Sequence, residues 1–470
     1  MKRKFFQLFG VALSATAFAS SPVVSDVTVS PAGDDRIFSD SSFSYTLSGE
    51  PGIVTFYLTT NGVPVDCPYV SVTGDMNRML QPGTHSFKWR NDIDWPGQTI
   101  RGVDCRIVVK AWSTNSPPDY LVYNLSVPSE SPRYYAKAAD VPGGVTNVMY
   151  KTTRLVMRRI HAAGQTMVKG VESGDPAYIN NFVKPCEVAF TKDFYIGIYE
   201  VTIGQMLAAK PITASDNVVS SYNAIHGSGK AQADADLMVE VSKDTDLNLS
   251  RAAATTTPKW YWFGSGNLYP ATGRACASSL HMQKFRNATL NPTMFLPTSF
   301  QWEFACRAGT ETRLYDGSNE TNDAAVCELG WYAGNNKDDP DWWCNAEDRD
   351  LTTDPAWYTD TANHHYLPHV VGLKKPNAWG LYDMLGNLAE SCIDNWVSNT
   401  PVSNADGTPV VDPTGPVLDV STATWYNPGC GGCLENQAKL LCAGYCDSRA
   451  CNSSQTSRGY RLVCDVEVSR

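Results

Sequence analysis

Residues 377–392 read NAWGLYDMLGNLAESC. Two carboxylates, Asp383 and Glu390, flank a Gly386-Asn387 pair, a turn signal because glycine frees the backbone and asparagine tolerates the left-handed region. An acid, a turn that exposes main-chain carbonyls and a second acid can wrap oxygens around one hard cation. Calcium takes roughly six to eight oxygen ligands of these kinds. The same residues also read as a turn carrying two solvated acids, and the stretch alone does not choose between the two.

Four further segments supply context. They are LVMRRIHAAGQTMVKG (Leu155–Gly170), FTKDFYIGIYEVTIGQM (Phe190–Met206), LPTSFQWEFACRAGT (Leu296–Thr310) and RGYRLVC (Arg458–Cys464). In this order, with NAWGLYDMLGNLAE between the last two, they resemble the formylglycine-generating enzyme family, also called sulfatase-modifying factors, over roughly residues 151–466. The resemblance implies a loop-rich, C-type-lectin-related α+β domain. It implies a structural calcium held by the side chains of Asp383 and Glu390 and the main-chain carbonyls of Gly386 and Leu388, and a Cys306–Cys442 disulfide. It also implies a copper(I) oxidase that converts a target cysteine, sulfatase-type, to formylglycine.

That activity needs two thiolates in a C-x-x-x-x-C pair, because soft sulfur ligands select copper(I). In the family the pair follows a Gly-Gly-Ser turn. Here the turn is Gly431-Gly432-Cys433, and Leu434–Lys439 contains no cysteine. Ala389 replaces the tryptophan usually found before the calcium-ligand glutamate, Cys446 stands where the family has an active-site arginine, and Ser457 replaces an asparagine. Cys446 and Cys451 repeat the required spacing but lie close to Gly459. They are the remaining candidates for copper, and a disulfide role suits them better. The expectation is therefore a calcium-stabilised binding module for a peptide or protein ligand, with an oxidase or a surface-structural protein as alternatives.

The rest of the chain fits export. It has 470 residues, 43% hydrophobic, with a formal charge of −10. No basic face is evident to neutralise phosphates, so nucleic acid is not an expected partner. Lys2-Arg3-Lys4, an apolar Phe5–Ala12 and Ala17-Phe18-Ala19 read as a secretory signal over 1–20. No segment reads as a membrane span, and an extracytoplasmic location follows. Fourteen cysteines in an exported chain point to disulfides.

Residues 21–128 read as an immunoglobulin-like β-sandwich. Phe43–Leu47 alternates, Ile53–Thr59 runs into the hairpin signal Asn61-Gly62, and His85–Trp89 and Arg106–Trp112 read as further strands. Cys67 and Cys105 are its expected disulfide. Residues 129–150 form a linker and 151–470 the second domain. Thr298, with Gln301 three residues on, signals a capped helix through Arg307, and Thr202 caps another. The Cys430-Gly-Gly-Cys433 motif reads as structural sulfur, and His364, His365 and His369 read as a surface loop. Thr213–Thr257, Asp316–Asp360 and Asn427–Ser457 are the candidate binding loops, with Trp331, Trp342, Trp343 and Trp357 as possible apolar contacts.

Overall fold

The computed structural model describes residues 21–30, 36–37, 41–98, 100–101, 105–178, 185–209, 281–335, 369–394, 404, 407–413, 426–434, 436–450 and 458–466. The signal segment, the Thr213–Thr257 loop, most of Asp316–Asp360, His364, His365 and Cys451 lie outside these. Among the described residues no helix is long and apolar enough to cross a membrane. The chain divides into two units. One runs to Val65 and resumes at Val72–Ser113; the other comprises Asp66–Ser71 and everything from Thr114. The first unit thus ends earlier than 128. The strand-like Tyr120–Asn124 pairs within the second unit.

The first unit holds two main antiparallel sheets. One has the order β1 (Val23–Ser30), β2 (Ser42–Ser48), β5 (Gly83–Trp89), β4 (Val72–Gly74). The other pairs β3 (Gly52–Thr60) with β6 (Cys105–Trp112). Asn61-Gly62 turns β3 back on Val63–Pro64, with Thr60 opposite Val63. Both turn residues have positive φ, the conformation that a two-residue hairpin of matching twist requires. Period-two patterning buries Phe43, Tyr45 and Leu47 of β2. Phe56 of β3 meets Phe87 and Trp89 of β5 at 5.0 and 5.5 Å between ring centroids, so the two sheets face each other across an aromatic core. No disulfide links Cys67 to Cys105. Cys67 lies in the short segment that belongs to the second unit, which removes the basis for the expected staple.

The second unit is α+β, with more strand than helix. A five-stranded antiparallel sheet has the order β8 (Arg133–Tyr135), β7 (Tyr120–Asn124), β9 (Arg154–Ile160), β12 (Phe194–Gly197), β18 (Val463–Asp465). A three-stranded sheet joins β10 (Thr166–Lys169), β11 (Cys186–Ala189) and β14 (Val410–Val411). A four-stranded sheet has the order β16 (Cys446–Ala450), β15 (Tyr426–Cys430), β13 (Ala389–Ser391), β17 (Arg458–Gly459).

Helices are short. Helix α1 (Ile203–Ala208) starts at the cap foreseen at Thr202 and α3 (Ser299–Arg307) at the capping box foreseen at Thr298, and both carry a full capping box. Between them in sequence lies α2 (His281–Thr289). Helix α3 is the centre of the unit. The sequence suggested one apolar face, but Trp302, Glu303, Cys306 and Arg307 are buried as well as Phe300, Phe304 and Ala305. A helix buried on all sides must give its charged residues internal partners. Glu303 finds Arg307 at 2.7 Å, Lys169 at 3.6 Å and the Gly170 amide at 2.9 Å.

Candidate functional site

The stretch that opened the sequence reading wraps helix α3 from end to end. Past its last residue, Asp394 accepts bonds from the Ser299 amide and hydroxyl, both at 2.6 Å, supplying an anion at the helix N-terminus where free amides favour it. At its start, Asn377 Nδ2 donates to the Ala305 and Cys306 carbonyls at 2.8 and 3.1 Å. In the middle, Trp302 Nε1 donates to Glu390 Oε2 at 2.7 Å. The Gly386-Asn387 turn is left-handed as foreseen, with φ of 76° and 56°, and it is buried. A Cβ added at Gly386 would come within 2.1 Å of the Trp331 carbonyl oxygen, so only glycine fits there.

Neither acid of the turn is solvated: Asp383 and Glu390 are each 1% exposed. Arg461, fully buried, clasps Glu390 through Nε to Oε2 at 2.6 Å and Nη2 to Oε1 at 2.5 Å. Its remaining donors reach the carbonyls of Gly197 and Tyr382 at 3.0 and 2.9 Å. A third carboxylate, Glu200, accepts from Asn387 Nδ2 at 2.7 Å and from the Leu388 amide at 3.3 Å. Asp383 Oδ2 accepts from the Gly372 amide at 2.6 Å.

Burial, reinforced by the charges of Glu390 and Asp383, pushes the Glu200 carboxyl well above its ordinary range. Burial pushes Asp383 up to about 6, against the pull of the Gly372 amide and of Arg461 and Lys151.

Arg461 holds both Glu390 oxygens, whereas Asp383 Oδ1 is buried with no hydrogen-bond partner among the described residues. Glu200 and Asp383, with the main chain of Gly386 and Leu388, still offer oxygens of the kind calcium takes. His369 stacks on Trp331 at 3.7 Å between ring centroids.

Copper does not fit at Cys446. Its sulfur is bonded to Cys430, its direct cross-strand neighbour on β15, with the two Cα atoms 4.2 Å apart. The Cys430-Gly-Gly-Cys433 pair is thus not a dithiol. Cys306 and Cys442 lie in one core, fully buried, without the expected bond between them; Cys306 Sγ instead points to the Met384 carbonyl at 3.8 Å. Cys327 is disulfide-bonded too.

One recess of about 580 Å³ opens beside β10, lined by Met167, Val168, Phe304 and Trp379, with Glu172 and Glu311 at its sides. Phe304 and Trp379 meet there at 5.4 Å between centroids. Sequence reasoning did not find this recess, because its walls come from segments far apart in the chain.

The sulfatase-modifying factor enzyme 1-like domain matches residues 152–466. The chain belongs to this family. A chaperone protein LppX of Paenibacillus barcinonensis is 32% identical over 136 residues, covering 28% of this chain and 42% of the relative. A formylglycine-generating enzyme of Thermomonospora curvata is 29% identical over 180 residues, covering 36% and 49%. The chain thus spans less than half the length of these curated relatives. Among solved structures, Treponema denticola variable protein 1 aligns over 67% of this chain and 96% of its own, with 19% identity and a TM-score of 0.39. PvdO from Pseudomonas aeruginosa aligns over 66% and 94%, with 15% identity and a TM-score of 0.38.

The family sequence blocks acquire a physical meaning in this chain. Glu200, Trp302, Glu390 and Arg461 each come from a different one of the quoted blocks, and all four meet in the buried ionic centre. The sequence reading missed Glu200, Trp302 and Arg461. Its available signal was a lone charge inside an apolar run, as in IGIYEVTI and GYRLV, since such a charge must find a partner once buried.

Proposed function

We propose that this protein is an exported binding module of the sulfatase-modifying factor family in which the copper chemistry is lost. The observation that carries the reading is the Cys430–Cys446 disulfide, which withdraws one of the two candidate copper ligands. The ligand class is a peptide or protein segment. The recess beside β10 supports it by offering two aromatic rings, Phe304 and Trp379, beside charged groups of both signs, Glu172, Glu311, Arg307 and Arg313. The first unit is read as an immunoglobulin-like spacer.

The oxidase reading is favoured by the likeness to the Thermomonospora enzyme, and one experiment separates the two. The native protein is treated with a thiol-alkylating reagent and titrated with copper(I). A binding module takes up no stoichiometric copper and its buried cysteines stay unlabelled; among the described unbonded cysteines, only Cys186 is half-buried. Uptake of one copper(I) per chain, or conversion of the cysteine in a sulfatase-derived peptide to formylglycine, would establish the oxidase instead.

A further inference from the structure

The four-stranded sheet brings a third sulfur to the disulfide. Glu390 on β13 stands opposite Cys430 on β15, and Cys392 lies two residues further along the chain, its amide bonded to the Pro428 carbonyl. Cys392 Sγ approaches Cys430 Sγ at 3.8 Å and donates to the Glu390 carbonyl at 3.6 Å. On the opposite side of β15, Cys446 faces Cys430 in register. All three cysteines are 0% exposed. We infer that Cys392, Cys430 and Cys446 form a thiol–disulfide exchange centre in which the middle residue, Cys430, can bond to either neighbour.

The step is redox-neutral. When a local opening of the sheet admits water, Cys392 gives its proton to it and its sulfur attacks Cys430 sulfur; a Cys392–Cys430 bond forms as the Cys430–Cys446 bond breaks. The electron pair of the broken bond goes to Cys446, which takes up a proton. One thiol and one disulfide stand on each side, so no oxidant or reductant is consumed. Cys392 and Cys446 do not bond to each other, because β13 and β16 flank β15 and lie two strand spacings apart, roughly 9–10 Å.

The consequence is local and specific. Strand β16, at the end of the sheet order among the described residues, loses its covalent tie to β15, and the thiol moves from Cys392 to Cys446. The inference rests on the reading above only in that the sulfur occupying Cys446 is what blocks copper there. Exchange would make that block reversible.

Disulfide mapping tests it. Full-length protein is incubated with a trace of reduced glutathione, quenched with N-ethylmaleimide at low pH, and digested without reduction. Both Cys430–Cys446 and Cys392–Cys430 linked peptides are expected. In Cys446→Ala, refolded with glutathione disulfide as oxidant, Cys430 should be recovered bonded to Cys392. In Cys430→Ala, no Cys392–Cys446 link should form. Recovery of wild-type protein with Cys430–Cys446 as the sole pairing of Cys430 after prolonged thiol treatment overturns the inference, as does a folded Cys446→Ala protein with Cys392 and Cys430 both alkylated. The wild-type readout stands whether or not a variant folds. The copper titration is a separate measurement, so failure here leaves the binding reading intact.

Discussion

In the buried Arg461–Glu390 pair the guanidinium holds the carboxylate expected as a calcium ligand. Two-point contact satisfies both carboxylate oxygens, and Trp302 adds a third bond. Removing one partner of a buried pair leaves an uncompensated charge, which typically costs about 3–5 kcal/mol. Arg461→Met should therefore destabilise the second unit by that amount in urea unfolding, because Glu200 and Asp383 aggravate the excess negative charge. Arg461→Lys should recover only part of the loss, since an ammonium cannot span both oxygens.

A different carboxyl gives a pH signature. Burial pushes Asp140 from 3.8 up to about 6, and Lys137 only partly offsets it. Its folded-state value lies above the unfolded one, so the folded state holds more protons between these limits. Stability must then fall as pH rises from 3.8 to about 6. Asp140→Asn removes that slope. The variant should match wild type at the acid limit and exceed it above the window, by about 2–3 kcal/mol as an upper bound. Equal stability of the two proteins across the whole range would mean that Asp140 is solvated.

At the scale of elements, the capped helix was legible because capping is local chemistry. Thr298 Oγ1 accepts from the Gln301 amide at 3.0 Å, and the Gln301 side chain accepts from the Thr298 amide at 3.1 Å. Thr298→Ala should cost about 1 kcal/mol and Thr298→Ser little, as read by chemical denaturation. The Asn61-Gly62 hairpin was legible for the same reason: two adjacent residues fix their own turn. Burial of Glu303 was not legible, because its partner Lys169 lies more than a hundred residues earlier and only the tertiary fold brings them together. The Cys306–Cys442 and Cys67–Cys105 expectations failed at this level too. One came from the family resemblance and the other from assigning both cysteines to one sandwich, and neither tests whether two sulfurs meet.

For the whole molecule, the ordered blocks fixed the family and the α+β class. Block order says nothing of which charges neutralise each other, so Glu200 and Arg461, which surround the expected cation site, were not legible. Neutralisation by Arg461 alone and neutralisation aided by calcium differ in what holds the second unit together. A calcium site linking Asp383 to Glu390 would tie folding to metal, since a ligand bound only by the native state stabilises it by RT ln(1 + [L]/Kd), about 2.7 kcal/mol at a hundredfold excess over Kd. In a chain of this size each kcal/mol moves the melting temperature by roughly 2–4 °C, so stripping such a metal would lower it by several degrees. Glu200, Asp383 and Glu390 are buried around the single guanidinium of Arg461, so bound calcium should offset excess negative charge. Calorimetric scans in millimolar calcium should lie several degrees above scans in excess EDTA, a difference that Glu390→Gln reduces. Superimposable scans would show that Arg461 alone neutralises the site and that Glu390 is no ligand.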